Sequence, residues 1–111
     1  MAKANKEKPK AHYPLEEVRR LIDLDLVDIW PEPLRDAKKD FGWGPDMILE
    51  AIKQLEGKHL HKRDVSPKNG LLVMDFYKAT VMNEHIYTHF YIEDIGDDQI
   101  LVIQSFKQDE A

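Results

Sequence analysis

The sequence predicts an α+β domain in which N-terminal helices pack on one face of an antiparallel β-sheet. Three observations predict it. Residues 71–107 carry sustained period-two patterning in runs rich in β-branched and aromatic residues. Residues 14–57 instead space their apolar side chains at helical intervals between Pro and Gly punctuation. The chain has 111 residues and is 42% apolar, enough for one domain with a modest core.

Residues 1–12 are polar and hold Lys3, Lys6, Lys8 and Lys10 without an apolar face. A flexible basic tail is therefore expected ahead of a single domain over 13–111. A first helix should begin near Pro14, because Pro suits the first helical turn. Glu16 and Glu17 follow where the helix dipole favours acids, and Arg19 and Arg20 come later. Leu15, Val18 and Ile22 form its stripe with Leu21 beside them, and Asp23 and Asp25 mark its end. The apolar run Leu26–Trp30 reads either as a linker or as a short strand.

Pro31 and Pro33 open a second helix with Leu34, Ala37 and Phe41 as its buried stripe, and Gly42 suits its C-terminal cap. Gly44-Pro45-Asp46 starts a third helix. Its broad apolar face is Met47, Ile48, Ala51, Ile52 and Leu55, and Gly57 is expected to stop it. Lys58–Val65 is basic and nearly devoid of apolar residues, so it reads either as a solvated loop face, which composition favours, or as part of a site. The turn Lys68-Asn69-Gly70 leads from it into the strands.

Three strands are expected, over Leu71–Val81, His85–Ile92 and Ile100–Lys107. Met82-Asn83-Glu84 and Gly96-Asp97-Asp98 connect them, and such short connections make neighbours antiparallel. Successive strand side chains alternate faces. In the middle strand Ile86, Thr88, Phe90 and Ile92 therefore point one way, and Tyr87, His89 and Tyr91 the other. In the last strand strict alternation puts Ile100, Val102 and Phe106 on one face, with Lys107 opposite. The helices supply the cover for one side, leaving the other free to carry Tyr, His and Lys.

No cysteine is present, which excludes disulfides, Cys-ligated zinc and thiol catalysis. The first ten residues hold no apolar stretch of signal-peptide length and nothing approaches a membrane span, so a cytoplasmic protein is expected. A net charge of −5 argues against a general nucleic-acid binder. The charge is uneven, however: residues 53–68 carry Lys53, Lys58, Lys62, Arg63 and Lys68 against only Glu56 and Asp64. One basic face on an acidic protein can still meet phosphate.

The residue types narrow the chemistry. His59-x-His61 and His85-x3-His89 look ligand-like, but strand residues four apart are separated by about 13 Å. No His/carboxylate set can be assembled around them, so no metal and no cofactor is expected. Ser66 and Ser105 are the only serines, and neither sits in a nucleophile elbow. Metal-free RNA cleavage fits better. It needs a base for the ribose 2′-OH, an acid for the departing 5′ oxygen and fixed cations for the phosphorane. Lys62, Tyr87, His89 and Lys107 are of those types.

At these residues the chain resembles the MqsR family, the motility quorum-sensing regulator toxins of type II toxin–antitoxin systems. The resemblance covers roughly residues 12–107. It rests on the helix ending in Ile52-Lys53-Gln54-Leu55, the Lys62 segment, Asp75-Phe76-Tyr77-Lys78, Tyr87 and above all Leu101-Val102-Ile103-Gln104-Ser105-Phe106-Lys107. It implies a RelE-like α+β fold and a ribosome-independent mRNA interferase, with mRNA as substrate and a cognate antitoxin as partner, acting on neither membrane nor DNA. It implies catalytic positions at Lys62, Tyr87 and Lys107, with His89 where a basic residue is common. Arg63, Tyr77 and Lys78 are assigned to RNA binding; Lys78 stands in a Tyr-Arg-like pair, as a point charge instead of a planar fork. Met74 stands where the family pattern has a catalytic Gln, and a thioether lacks the amide's paired donor and acceptor. The alternative is therefore a catalytically weakened RNA- or protein-binding module of the same fold.

Overall fold

The computed structural model describes residues 10–65, 70 and 72–110. Most of the expected basic tail and the Lys68-Asn69 part of the turn before the sheet lie outside them. Three helices, α1 (Leu15–Asp23), α2 (Pro31–Phe41) and α3 (Pro45–Lys53), pack on one face of a five-stranded sheet. The strands are β1 (Val27–Ile29), β2 (Leu60–Val65), β3 (Val73–Val81), β4 (Glu84–Ile95) and β5 (Asp98–Gln108), in the spatial order β1-β5-β4-β3-β2.

The α+β class is as expected, but the sheet is mixed. β2 to β5 are antiparallel neighbours, whereas β1 joins the far edge parallel to β5. The run Leu26–Trp30 thus resolves into a short strand. α1 hands over to it through Asp25, which takes the left-handed conformation at φ 62° while the Leu26 N–H bonds back to the Leu21 carbonyl.

The helix starts fall where Pro places them, and Gly42 caps α2 at φ 75° with its N–H on the Lys38 carbonyl. α3 ends at Lys53, before Gly57, which opens a short 3-10 turn. Arg19 of α1 satisfies that helix end, donating to the carbonyls of Lys53 (3.0 Å) and Leu55 (2.6 Å). Met47, expected in the core, is exposed because it lies outside the face made by Ile48, Ala51 and Ile52. The β3–β4 hairpin turns on Met82 and Asn83, both at positive φ, which matches the right-handed twist of the strands it joins.

Two features of the sheet differ from expectation. Lys58–Val65 is not a loop: from Leu60 it forms an edge strand, held by backbone pairing to β3 with almost no burial of its own. Backbone pairing needs no apolar side chains, so composition hid it. In addition, two β-bulges break strict alternation. One lies between Leu60 and Lys62, the other in β5 opposite His89 and Phe90. The second puts Leu101, Ile103 and Phe106 in the helix-covered core, while Ile100 and Val102 face the other way. Val102 and Ile100 therefore do not share a face with Phe106, as alternation without a bulge requires.

The helix-covered core runs from Val18, Leu21, Ala37 and Ile52 onto Tyr77, Ile86, Phe90, Leu101, Ile103 and Phe106. A smaller cluster, Met74, Phe76, Tyr91 and Val102, lies on the opposite face with Tyr13 and Trp30 against it. The N-terminal segment is tied to this region. Asp75 is fully buried, and its two carboxylate oxygens accept the N–H groups of His12 (2.9 Å) and Tyr13 (2.8 Å). The Tyr13 hydroxyl donates to the Val73 carbonyl at 2.7 Å.

Candidate functional site

On the face away from the helices, cross-strand pairing aligns side chains in rows. One row is Lys62, Phe76, His89 and Ser105; the next is Lys78, Tyr87 and Lys107. The bulge at His61 is what brings Lys62 here. Without it, Lys62 would share the face of Leu60, which packs toward the helices. A groove of about 460 Å³ runs over these rows and takes in Lys62, Tyr87, His89 and Lys107 together. Trp30, at the start of α2, forms one wall, fixed by its N–H on the Ile103 carbonyl at 3.1 Å.

Aromatic rings make the middle of the site. The ring of His89 lies 4.6 Å from that of Phe76, tilted 45°, and 5.8 Å from that of Tyr87, nearly perpendicular at 86°. Both lysines sit over rings: Lys62 Nζ is 4.9 Å from the Phe76 centroid, and Lys107 Nζ is 5.6 Å from that of Tyr87. Lys62 also approaches Asp64 Oδ2 at 3.7 Å, a loose pair between two half-exposed side chains. Glu32 and Asp64 are the carboxylates of the groove.

This packing moves the titrating groups apart. Burial, followed by the nearby Lys107 and Lys62 ammonium groups, lowers the His89 pKa to about 4. His89 is therefore a neutral imidazole at physiological pH, and its Nδ1 is buried without a hydrogen-bond partner. Burial, and then the Asp109 carboxylate, raise the Tyr87 phenol above its usual value, so it keeps its proton. The site thus holds a neutral acceptor and a neutral donor side by side, with an ammonium at either end.

The residues assigned to RNA binding separate. Tyr77 is not on this face. It is completely buried among the helices' contacts, stacked 5.4 Å from Phe90, and desolvation pushes its phenol up. Arg63 pairs with Asp75 in register and so takes the face opposite Lys62. The bulge that aims Lys62 into the groove aims its neighbour away. Lys78 keeps the register of Tyr87 and Lys107, but its ammonium lies 4.0 Å from Asp109 and does not line the groove. His85, the other half of the ligand-like pair, shares a short contact with Thr80 Oγ1 at 2.7 Å, away from His89.

Trp30, Phe76, Gln104 and Ser105 line the groove without having been singled out for a site role. Alternation along β3 puts Phe76 beside Met74 and Lys78, so that residue was readable once its partners were chosen. Gln104 carried no such signal, because only the bulge exposes it. Met74 is almost wholly buried in the groove's floor, where it packs as an apolar residue. No protein-family model matches the chain, and no curated protein matches it.

Proposed function

We propose that the protein is a metal-independent endoribonuclease of the mRNA interferase type, with a RelE-like, MqsR-resembling fold, that cuts single-stranded mRNA. The observation that supports this reading is the meeting of Lys62, Tyr87, His89 and Lys107 in one groove. Their pKa shifts divide the roles. Neutral His89, through Nε2, takes the proton from the ribose 2′-OH as its oxygen attacks the adjacent phosphorus. Lys62 and Lys107 balance the charge that builds on the non-bridging oxygens. Tyr87 gives its proton to the departing 5′ oxygen. The products are a 2′,3′-cyclic phosphate and a free 5′-OH.

Such an activity inside a cell needs restraint, so the reading includes cytoplasmic action and a cognate antitoxin protein as partner. The edge strand β2 presents unpaired backbone groups beside Lys62, a place where a partner strand can add. The decisive experiment is cleavage of single-stranded RNA by the purified protein in excess EDTA, with the new ends identified. Cyclic phosphate and 5′-OH ends support the reading, and cleavage that EDTA abolishes refutes it. Co-expression with the product of the neighbouring open reading frame tests the partner, through complex formation and restored growth.

Two observations favour a second reading. The groove floor at Met74 is apolar and supplies no amide, and Lys62 is drawn toward Asp64. A module that stacks bases on Phe76 and Tyr87 without cutting has the same face. Tight RNA binding with no cleavage identifies it.

A further inference from the structure

The β5 bulge opposite His89 has a chemical consequence. In a regular strand only every second residue reaches one face. Here Ile103 and Phe106 both lie in the helix-side core, and the two residues between them, Gln104 and Ser105, both line the groove. The bulge is held in place from the other side: the buried Thr88 hydroxyl donates to the Ser105 carbonyl at 2.6 Å, satisfying a backbone acceptor at the irregularity. Ser105 pairs with His89 in register. Among the described residues the Gln104 amide makes no hydrogen bond. It is the one carboxamide among the residues lining the groove, which also include Trp30, Lys62 and Lys107.

We infer that Gln104 is the residue by which the groove reads a nucleobase next to the scissile phosphate. This rests on the RNA-cleaving reading and deepens it. A carboxamide offers one donor and one acceptor side by side, the complement of a base edge that presents an acceptor beside a donor. Proteins read single-stranded RNA by stacking an unpaired base on aromatic rings and hydrogen-bonding its edge. Phe76, Tyr87 and Trp30 supply rings, and Gln104 supplies the edge contact. The lysines see only phosphate and carry no sequence information. The groove therefore derives its sequence preference from the bulge, not from its charges.

The test maps cleavage sites on a long RNA of mixed sequence for the parent protein, Gln104→Ala and Gln104→Glu. Gln104→Ala should flatten the base preference at one position beside the cut and raise KM about tenfold or more, with kcat less affected. Gln104→Glu leaves only acceptors, so the preference should move toward guanine, whose N1–H and N2–H₂ are adjacent donors. Thr88→Val, with the amide intact but its backbone support gone, should blur the same position. Circular dichroism and melting confirm that each variant folds. An unchanged site map for folded Gln104→Ala and Gln104→Glu overturns the inference while leaving the nuclease reading intact. If the parent does not cleave, fluorescence anisotropy with rA, rU, rC and rG 8-mers takes its place. A base preference that disappears in Gln104→Ala supports the inference even though the nuclease reading fails. A preference retained in Gln104→Ala, or no binding at all, overturns it.

Discussion

His89 and Tyr87 stand with their rings 5.8 Å apart, and burial drives their pKa values in opposite directions. If His89 is the base, cleavage should rise as pH climbs through about 4, where its proton leaves, and then stay level through neutrality. A fall is expected only on the alkaline side of the usual phenol range, as Tyr87 ionises. A pH–rate profile of the parent and of His89→Gln checks this, since the acid limb should vanish in the variant. An inflection near the ordinary imidazole value of about 6.5 would mean the ring is solvated during cleavage. Lys107 is exposed and its ammonium sits over the Tyr87 ring, so Lys107→Ala should leave the fold unchanged. Loss of one preorganised charge should slow cleavage on the order of a hundredfold. Near-parental rates in the folded variant would remove Lys107 from the mechanism.

Among the elements, β3 holds the site's floor, and the segment at His12 and Tyr13 holds β3. Both oxygens of the buried Asp75 are used by backbone N–H donors of that segment. Asp75→Asn keeps the shape but turns one acceptor into a donor facing an N–H. The variant should lose about 1–3 kcal/mol of stability in urea denaturation, the cost of an unmet buried donor. It should also open the N-terminal segment to protease earlier than the rest of the chain. β2 depends almost wholly on its ladder to β3, and its place there brings Lys62 over the Phe76 ring. Asp75, which holds the N-terminal segment, and Phe76, which lies under Lys62, are consecutive residues of β3.

For the whole molecule, the groove's half-buried histidine links folding to pH. Native His89 gives up its proton near pH 4, whereas in the unfolded chain an imidazole holds it to about 6.5. Between those values the unfolded chain binds the extra proton, so acid favours unfolding. Stability contributed by His89 should therefore be complete above about pH 6.5 and be lost as pH falls toward 4. Thermal melts of the parent across that window should slope more steeply than those of His89→Gln, and parallel curves would show that the ring is not sealed. On a protein of formal charge −5, the groove sets Lys62 and Lys107 against Glu32 and Asp64, so its lining carries no excess of formal positive charge. No described helix is long and apolar enough to cross a membrane.

Pattern alone located the helices and the three long strands. Pro and Gly constrain backbone angles locally, and period-two runs such as Ile86–Ile92 need no partner to be read. It also chose Lys62, Tyr87, His89 and Lys107 by type, and the fold brings those four into one groove. It missed the strand at Leu60–Val65, whose stability lies in backbone bonds to a segment distant in sequence. The faces of Ile100 and Val102 read from strict alternation, and the RNA-binding position that the resemblance gave Arg63, changed for a related reason; Tyr77, likewise assigned by the resemblance, lies on the core side through the unbroken alternation of β3. A strand's face is settled by counting residues from a fixed point, and an added residue at His61 or Gln104 shifts the count by one. Such a bulge is decided by which hydrogen bonds the partner strand and Thr88 can complete, a condition that exists only once the sheet has formed. The sequence therefore determined which side-chain types the strands carry, and the tertiary register decided which of them meet in the groove.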